Sequence, residues 1–165
     1  MRIPIVNLRG EHIHAITERQ CVSLILERHQ AGDGGWVATH NLDHLRRLRC
    51  DRDFAELCRG ASLRVADGMP LIWASRIQGT PLPARVAGSD LVVTLATALA
   101  KADHWLGVRR IELTVDAENL AGMALYRSAG FFEQGRLRAD HFREGGFADG
   151  MRMVRFFPHA SYLEG

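Results

Sequence analysis

Apolar residues return at three- and four-residue steps from Ser89 to Gly107, with Leu91, Leu95, Leu99, Ala102 and Leu106 on one side. That spacing predicts an amphipathic helix. Ser89 or Asp90 suits its N-cap, and Gly107 suits a left-handed stop. Before this helix, Arg2–Asn7 and Glu11–Ile16 read as two short strands joined through Leu8, Arg9 and Gly10. Thr17 with Gln20 forms a capping box that opens the helix ERQCVSLILERHQ. GWVATHN and SLRVADG read as strands with polar ends. Between them LDHLRRLRC and RDFAELCRG are helical, with Asp51 as the cap of the second. MPLIWASRIQG is a helix with Pro70 in its first turn and Gly79 at its stop. TPLPARVAG is a loop stiffened by Pro81 and Pro83.

After the Ser89–Gly107 helix, VRRIELTV is a third strand that runs into DAEN. Asn119 caps the helix LAGMALYRS, which Gly130 stops. FFEQGRLRADHF and FADGMRMVRFF form a hairpin through Glu144, Gly145 and Gly146. This order predicts an α/β fold: one three-layer domain over residues 1–165. It has a mostly parallel central sheet, an N-terminal hairpin and a C-terminal antiparallel hairpin. Open α/β sheets bind ligands outside the carboxyl ends of their strands. Three such ends carry polar clusters: Thr39-His40-Asn41, Asp67-Gly68, and Asp116 to Asn119. If the three strands are neighbours, these clusters share one rim, which is the candidate site.

Composition narrows the picture only slightly. The chain has 165 residues, 47% of them hydrophobic, enough for one domain with a substantial core. Lys+Arg 21 against Asp+Glu 19 leaves a formal charge of +2, which gives no argument for nucleic acid. The three cysteines, Cys21, Cys50 and Cys58, are odd in number and form no C-x-x-C pair. A reducing, cytoplasmic setting is therefore expected. No signal peptide is visible, and no stretch approaches the roughly 18 apolar residues of a membrane span. Peripheral contact with a membrane surface stays open, as does the oligomeric state.

The candidate residues each carry two readings. Asp67 is either a cap that accepts from the amides of Met69 or Leu71, or a general base at the rim. Thr39 and Asn41 are either turn residues or substrate contacts. His40 and His44 lie four apart, a spacing that suits zinc, but no H-E-x-x-H pattern and no third ligand accompany them, so no metal is expected. Arg85 to Asp90 is a weak imitation of a phosphate loop, with one glycine, Gly88, and the carboxylate of Asp90. Tyr126 reads as a core tyrosine with its hydroxyl at the surface. The set Arg136, Arg138, Arg143, Arg152 and Arg155 reads as a solvated strand face.

VATHNLDHL, RCDRDFAEL, RVADGMPLIWASRIQG and PLPARVAGSDL occur in order. On these pieces, residues 1–91 resemble the WecG/TagA/CpsF glycosyltransferases. The resemblance implies transfer of an N-acetylated hexosamine from a UDP-sugar to a lipid-diphosphate-linked sugar, with inversion and without a required cofactor. It implies Asp67 as the catalytic base and Thr39, Asn41 and Arg85 in the same pocket. ADHWLGVRRIELTVDAEN, ALYRSAGF and EQGRLRADHFREGGFADGMRMVRF resemble the second half of GNAT-type N-acetyltransferases, over residues 92–158. That resemblance implies acetyl-CoA as cofactor, Asn119 against the cofactor chain and Tyr126 as general acid by the thiol. DAENLAG stands where the glycosyltransferases have a glycine-rich turn that helps hold UDP. The chain therefore reads as a chimera of two transferases sharing one helix, natural or constructed. The leading expectation is a glycosyltransferase, its activity open to impairment by the altered second half. An acetyl-CoA-dependent transferase is the alternative, and a non-catalytic fused scaffold the third reading.

Overall fold

The structure, a computed structural model, describes residues 3–101, 107–143 and 146–157, the side chains of Phe142 and Arg143 excepted. It divides into two compact units, Met1–Thr94 and Leu95–Gly165.

The first unit opens with a hairpin, β1 (Ile5–Leu8) and β2 (Glu11–His14), paired from Ile5↔His14 to Leu8↔Glu11. Its turn residues Arg9 and Gly10 both have positive φ, 52° and 96°, as a two-residue type I′ turn requires. The Asn7 side chain fixes that turn by accepting from the Gly10 amide at 2.8 Å. Helix α1 (Glu18–Gln30) starts at the expected capping box of Thr17 and Gln20. Strand β3 (Val37–His40) leads into α2 (Leu42–Cys50), which Asn41 caps by accepting from the His44 amide. Asp51 then caps α3 (Arg52–Arg59). Strand β4 (Leu63–Ala66) lies parallel to β3, from Val37↔Leu63 to His40↔Ala66. Helix α4 (Met69–Ile77) follows it, with Pro70 in its first turn.

The core of this unit gathers Val6, Leu8, Ile13, Ala66, Leu71, Ile72 and Leu82. The alternation of β1 and β2 thus points one hairpin face at α4 and the end of β4. The buried Ser75 hydroxyl is satisfied twice: it donates to the Ile72 carbonyl and accepts from the Leu82 amide. This contact ties the proline-stiffened loop to α4.

Helix α5 (Gly88–Lys101) buries Leu91 and Leu99, as its periodicity predicts, whereas Leu95 is half-buried and Ala96, outside the predicted set, is buried. Ala102 and Leu106 lie outside the described residues, whereas Gly107 has the left-handed φ of 65° expected of a stop. The helix begins at Gly88, one residue before Ser89 and two before Asp90, so both expected caps stand inside its first turn.

In the second unit, β5 (Arg110–Asp116), β6 (Phe132–Arg143) and β7 (Gly146–Phe156) form an antiparallel sheet of order β5-β7-β6. The hairpin closes with Arg143 opposite Gly146. Its expected turn residues Glu144 and Gly145 lie outside the described residues. Helix α6 (Leu120–Ser128) is capped by Asn119 and followed by Gly130 at φ 84°.

The fold is α/β, but the expectation of a single, mostly parallel central sheet is corrected. Among the described residues, parallel pairing is confined to β3 and β4, and β5 pairs antiparallel with β7 instead of joining them. The long hairpin supplies β5 with a complete seven-residue register, Arg110↔Phe156 to Asp116↔Gly150, which satisfies that edge locally.

Candidate functional site

The parallel register of β3 and β4 decides which tip residues share a face. Thr39 is opposite Val65, and His40 is opposite Ala66. Side chains alternate along a strand, so Thr39, Val65 and Asp67 belong to one face, and His40 to the other. The tips are tied together by the Asp67 amide, which donates to the His40 carbonyl at 2.6 Å.

Asp67 does not cap the helix that follows it. Gly68, at φ 130°, occupies the N-cap of α4 and makes no side-chain cap bond. The Asp67 carboxylate turns instead to the start of α5, where Oδ2 accepts from the Gly88 amide at 3.2 Å. The loop before α5 is held beside β4 by the Val86 amide, which donates to the Ala66 carbonyl at 2.7 Å. That bond brings an unpaired helix-start amide to the strand tip. It also explains why neither Ser89 nor Asp90 is needed as a cap.

Arg85 lies between two carboxylates. Its Nη2 donates to Asp90 Oδ2 at 2.8 Å, while its Nη1 stands 3.8 Å from Asp67 Oδ1. Asp67 Oδ1 is therefore left beyond hydrogen-bond length of the guanidinium, facing it. Thr39 closes the cluster from the strand side: a Cβ on Gly88 would come within 3.3 Å of Thr39 Oγ1. Gly88, read in the sequence only as the glycine of a weak phosphate loop, joins the cluster through its amide. Its signal was its place in the Gly-Ser-Asp step before the long helix.

Of the four residues expected to share this pocket, Thr39, Asp67 and Arg85 converge around Gly88. Asn41 follows on the β3 tip, its carboxamide oxygen already accepting from the His44 amide. His40 is buried, and burial lowers its pKa to about 4, helped by the nearby His44 and Arg64 charges. Its ring meets His44 edge-on at 6.0 Å. Neutral and enclosed, it packs as a core side chain. Among the described residues no group of three His, Cys, Asp or Glu side chains is placed to hold a metal ion.

The third tip ends a strand that pairs with neither β3 nor β4. Asp116 ends β5 in the antiparallel sheet, where its Oδ1 accepts from the Glu118 amide. The expectation of three neighbouring parallel strands is thus corrected to a neighbouring pair, β3 and β4. Asn119 spends its carboxamide oxygen on the Gly122 amide at 2.9 Å as the cap of α6. Tyr126 is half-buried and packs edge-on against Phe131 at 6.2 Å. Of the arginine set, Arg136, Arg138 and Arg152 are exposed, as a solvated strand face requires, with Arg136 pairing with Asp149. Arg155 is instead half-buried, donates to the Ala129 carbonyl and covers the Phe157 ring, and the Arg143 side chain lies outside the described residues.

The profile of the Glycosyl transferase WecG/TagA/CpsF family matches residues 5–110. None of the curated proteins matches the chain. Solved N-acetyltransferases are similar to part of it. The spermidine/spermine N-acetyltransferase SpeG from Vibrio cholerae, in complex with manganese ions, is 32% identical over 46% of this chain and 44% of its own, with a TM-score of 0.37. The ribosomal-protein-alanine N-acetyltransferase from Brucella melitensis is 28% identical over 44% of this chain and 47% of its own, also at 0.37. The chain spans about half the length of these solved structures.

Proposed function

Because the chain belongs to the WecG/TagA/CpsF glycosyltransferase family, we propose that it moves a sugar from a nucleotide-sugar donor to a hydroxyl acceptor at the β3–β4 tips. The proposed donor is a UDP-linked N-acetylated hexosamine, and the proposed acceptor is a lipid-diphosphate-linked sugar. The supporting observation is the state of the Asp67 carboxylate: one oxygen is anchored by the Gly88 amide, and the other faces the guanidinium without a hydrogen bond to it.

In the proposed step, Asp67 Oδ1 takes the proton from the acceptor hydroxyl as that oxygen bonds to the anomeric carbon of the donor. The bond from this carbon to the diphosphate oxygen breaks, and UDP leaves with the electron pair. Attack opposite the leaving group inverts the anomeric centre. A base must lie within hydrogen-bond reach of the proton it removes, and the Gly88 anchor limits how far the carboxylate can turn away. Thr39 and Asn41 are assigned to orient the acceptor, and Arg85 to meet the charge that grows on the diphosphate. No cofactor enters this step.

The test is UDP release from UDP-N-acetylhexosamine with a lipid-diphosphate-sugar analogue as acceptor, in the wild type and in Asp67→Asn. Asparagine can still accept from the Gly88 amide, so the fold of the tip is kept while the base is lost. A fall in kcat of about 10²–10⁴-fold is expected. Equal rates in the two proteins would remove the assignment.

A further inference from the structure

Two main-chain bonds show which edge of β5 is already used. The Phe157 amide donates to the Arg109 carbonyl at 2.9 Å, and at the far end the Ala117 amide donates to the Asp149 carbonyl at 2.9 Å. Both continue the unshifted register that runs from Arg110↔Phe156 to Asp116↔Gly150. Bonded and non-bonded positions alternate along an antiparallel pair, so Ile111, Leu113 and Val115 also turn their amides and carbonyls to β7. Arg110, Glu112 and Thr114 turn theirs to the opposite edge. Among the described residues β5 pairs with β7 alone, and these three residues are exposed.

The two outer strands of this sheet differ in how their edges are kept. Strand β6 is interrupted by register shifts between Glu133 and Gly135 and between Leu137 and His141, and Ala139 in the second has φ 50°. Such breaks spoil an edge as a template for another strand. Strand β5 has no shift, no proline and no glycine over its seven residues. Its face of Ile111, Leu113 and Val115 is half-buried to buried, and the other face carries Arg110, Glu112, Thr114 and Asp116 in that order. The charged face thus begins with a cation and ends with an anion.

We infer that the open edge of β5 is the pairing surface for β5 of a second copy of this chain, the two strands antiparallel about a two-fold axis at Leu113. The register follows from hydrogen bonding and charge. Only outward-turned positions can bond across the axis, so the axis passes through a residue and not between two. At Glu112 it would set Glu112 against itself, and at Thr114 it would set Glu112 against Asp116, like charge on like. At Ile111 it would set Arg110 against Glu112, which are already an ion pair within the strand, and would leave Thr114 opposite Val108, before the strand begins. At Leu113 the whole strand is used: Arg110 meets Asp116, Glu112 meets Thr114, and Ile111 meets Val115 on the apolar face. An extended peptide from another protein needs only the open main-chain groups, whereas ends of opposite sign are what a symmetric antiparallel partner requires. The contact is made by the second unit and does not depend on the sugar-transfer reading.

The test is sedimentation velocity of the whole chain over a concentration series, where a reversible dimer is expected. Thr114→Pro removes an outward-turned amide without taking a bond from β7, and should leave the chain monomeric. Arg110→Glu makes both symmetry-related end pairs repulsive and should weaken the dimer about ten-fold. Far-UV circular dichroism and thermal unfolding check that each variant is folded. Under mild oxidation, Leu113→Cys should give a dimer whose peptide map contains a 113–113 disulfide, since the two positions face each other across the axis. Ile111→Cys, placed opposite Val115, should not join to its own copy. A monomer at every concentration would overturn the inference, as would a dimer undiminished in folded Thr114→Pro. So would a 111–111 disulfide formed in preference to 113–113.

Discussion

His40 carries the clearest consequence of placing a titratable side chain inside the first unit. Burial, then the His44 and Arg64 charges, hold its pKa at about 4 against an unperturbed 6.5. Between these values the unfolded chain binds a proton that the folded chain refuses, so stability falls as pH drops from 6.5 towards 4. The full shift corresponds to about 3 kcal/mol. His14 adds to the same slope: burial and Arg64 lower it, and its Nδ1 accepts from the Arg64 amide, which suits the neutral ring. Asp51 and Asp149 are held below the usual carboxylate range, chiefly by the Phe54 and Ala139 amides. Their contributions are lost only at lower pH, as those carboxylates protonate. Urea unfolding at pH 7 and pH 4.5 should show the loss in the wild type and a shallower one in His40→Gln. Identical pH dependence in the two would remove His40 as the cause.

Among the elements, the helix caps were the most legible in the sequence, because each is decided within four residues. Thr17 with Gln20, Asp51 and Asn119 all cap where the pattern puts them. The pairing of β5 was not legible. Its residues suit a parallel central strand, and only the length of the following hairpin shows that β7 can occupy its edge first. Position 150 in that hairpin is a glycine for a packing reason: a Cβ there would meet Asp140 Oδ2 at 2.6 Å and Thr114 Cγ2 at 2.8 Å. Gly150→Ala is expected to destabilise the sheet by about 1–3 kcal/mol. Loss of hydrogen-exchange protection along β7 would register it. Unchanged protection would mean that Asp140 and Thr114 move aside freely.

Across the whole molecule, two hydrophobic clusters among the described residues of the first unit draw every buried member from residues 6–82. A chain of residues 1–101 should therefore unfold cooperatively by itself, with a single denaturant transition. A gradual, non-cooperative loss of signal would show that its core needs the rest of the chain. The candidate site was half legible. Asp67, Thr39 and Arg85 were readable as polar residues after strands and in the loop before the long helix. What brings them together was not, because the Val86–Ala66 bond and the Gly88 amide are main-chain contacts and leave little trace in side-chain pattern.

The central claim, that the β3–β4 tip receives the donor, is tested most directly by amide NMR spectra of the whole chain titrated with UDP-N-acetylhexosamine. The account predicts saturable shifts at the Thr39, Asn41, Asp67 and Gly88 amides. Saturation with these four unmoved, or shifts confined to residues after Gly107, would contradict it.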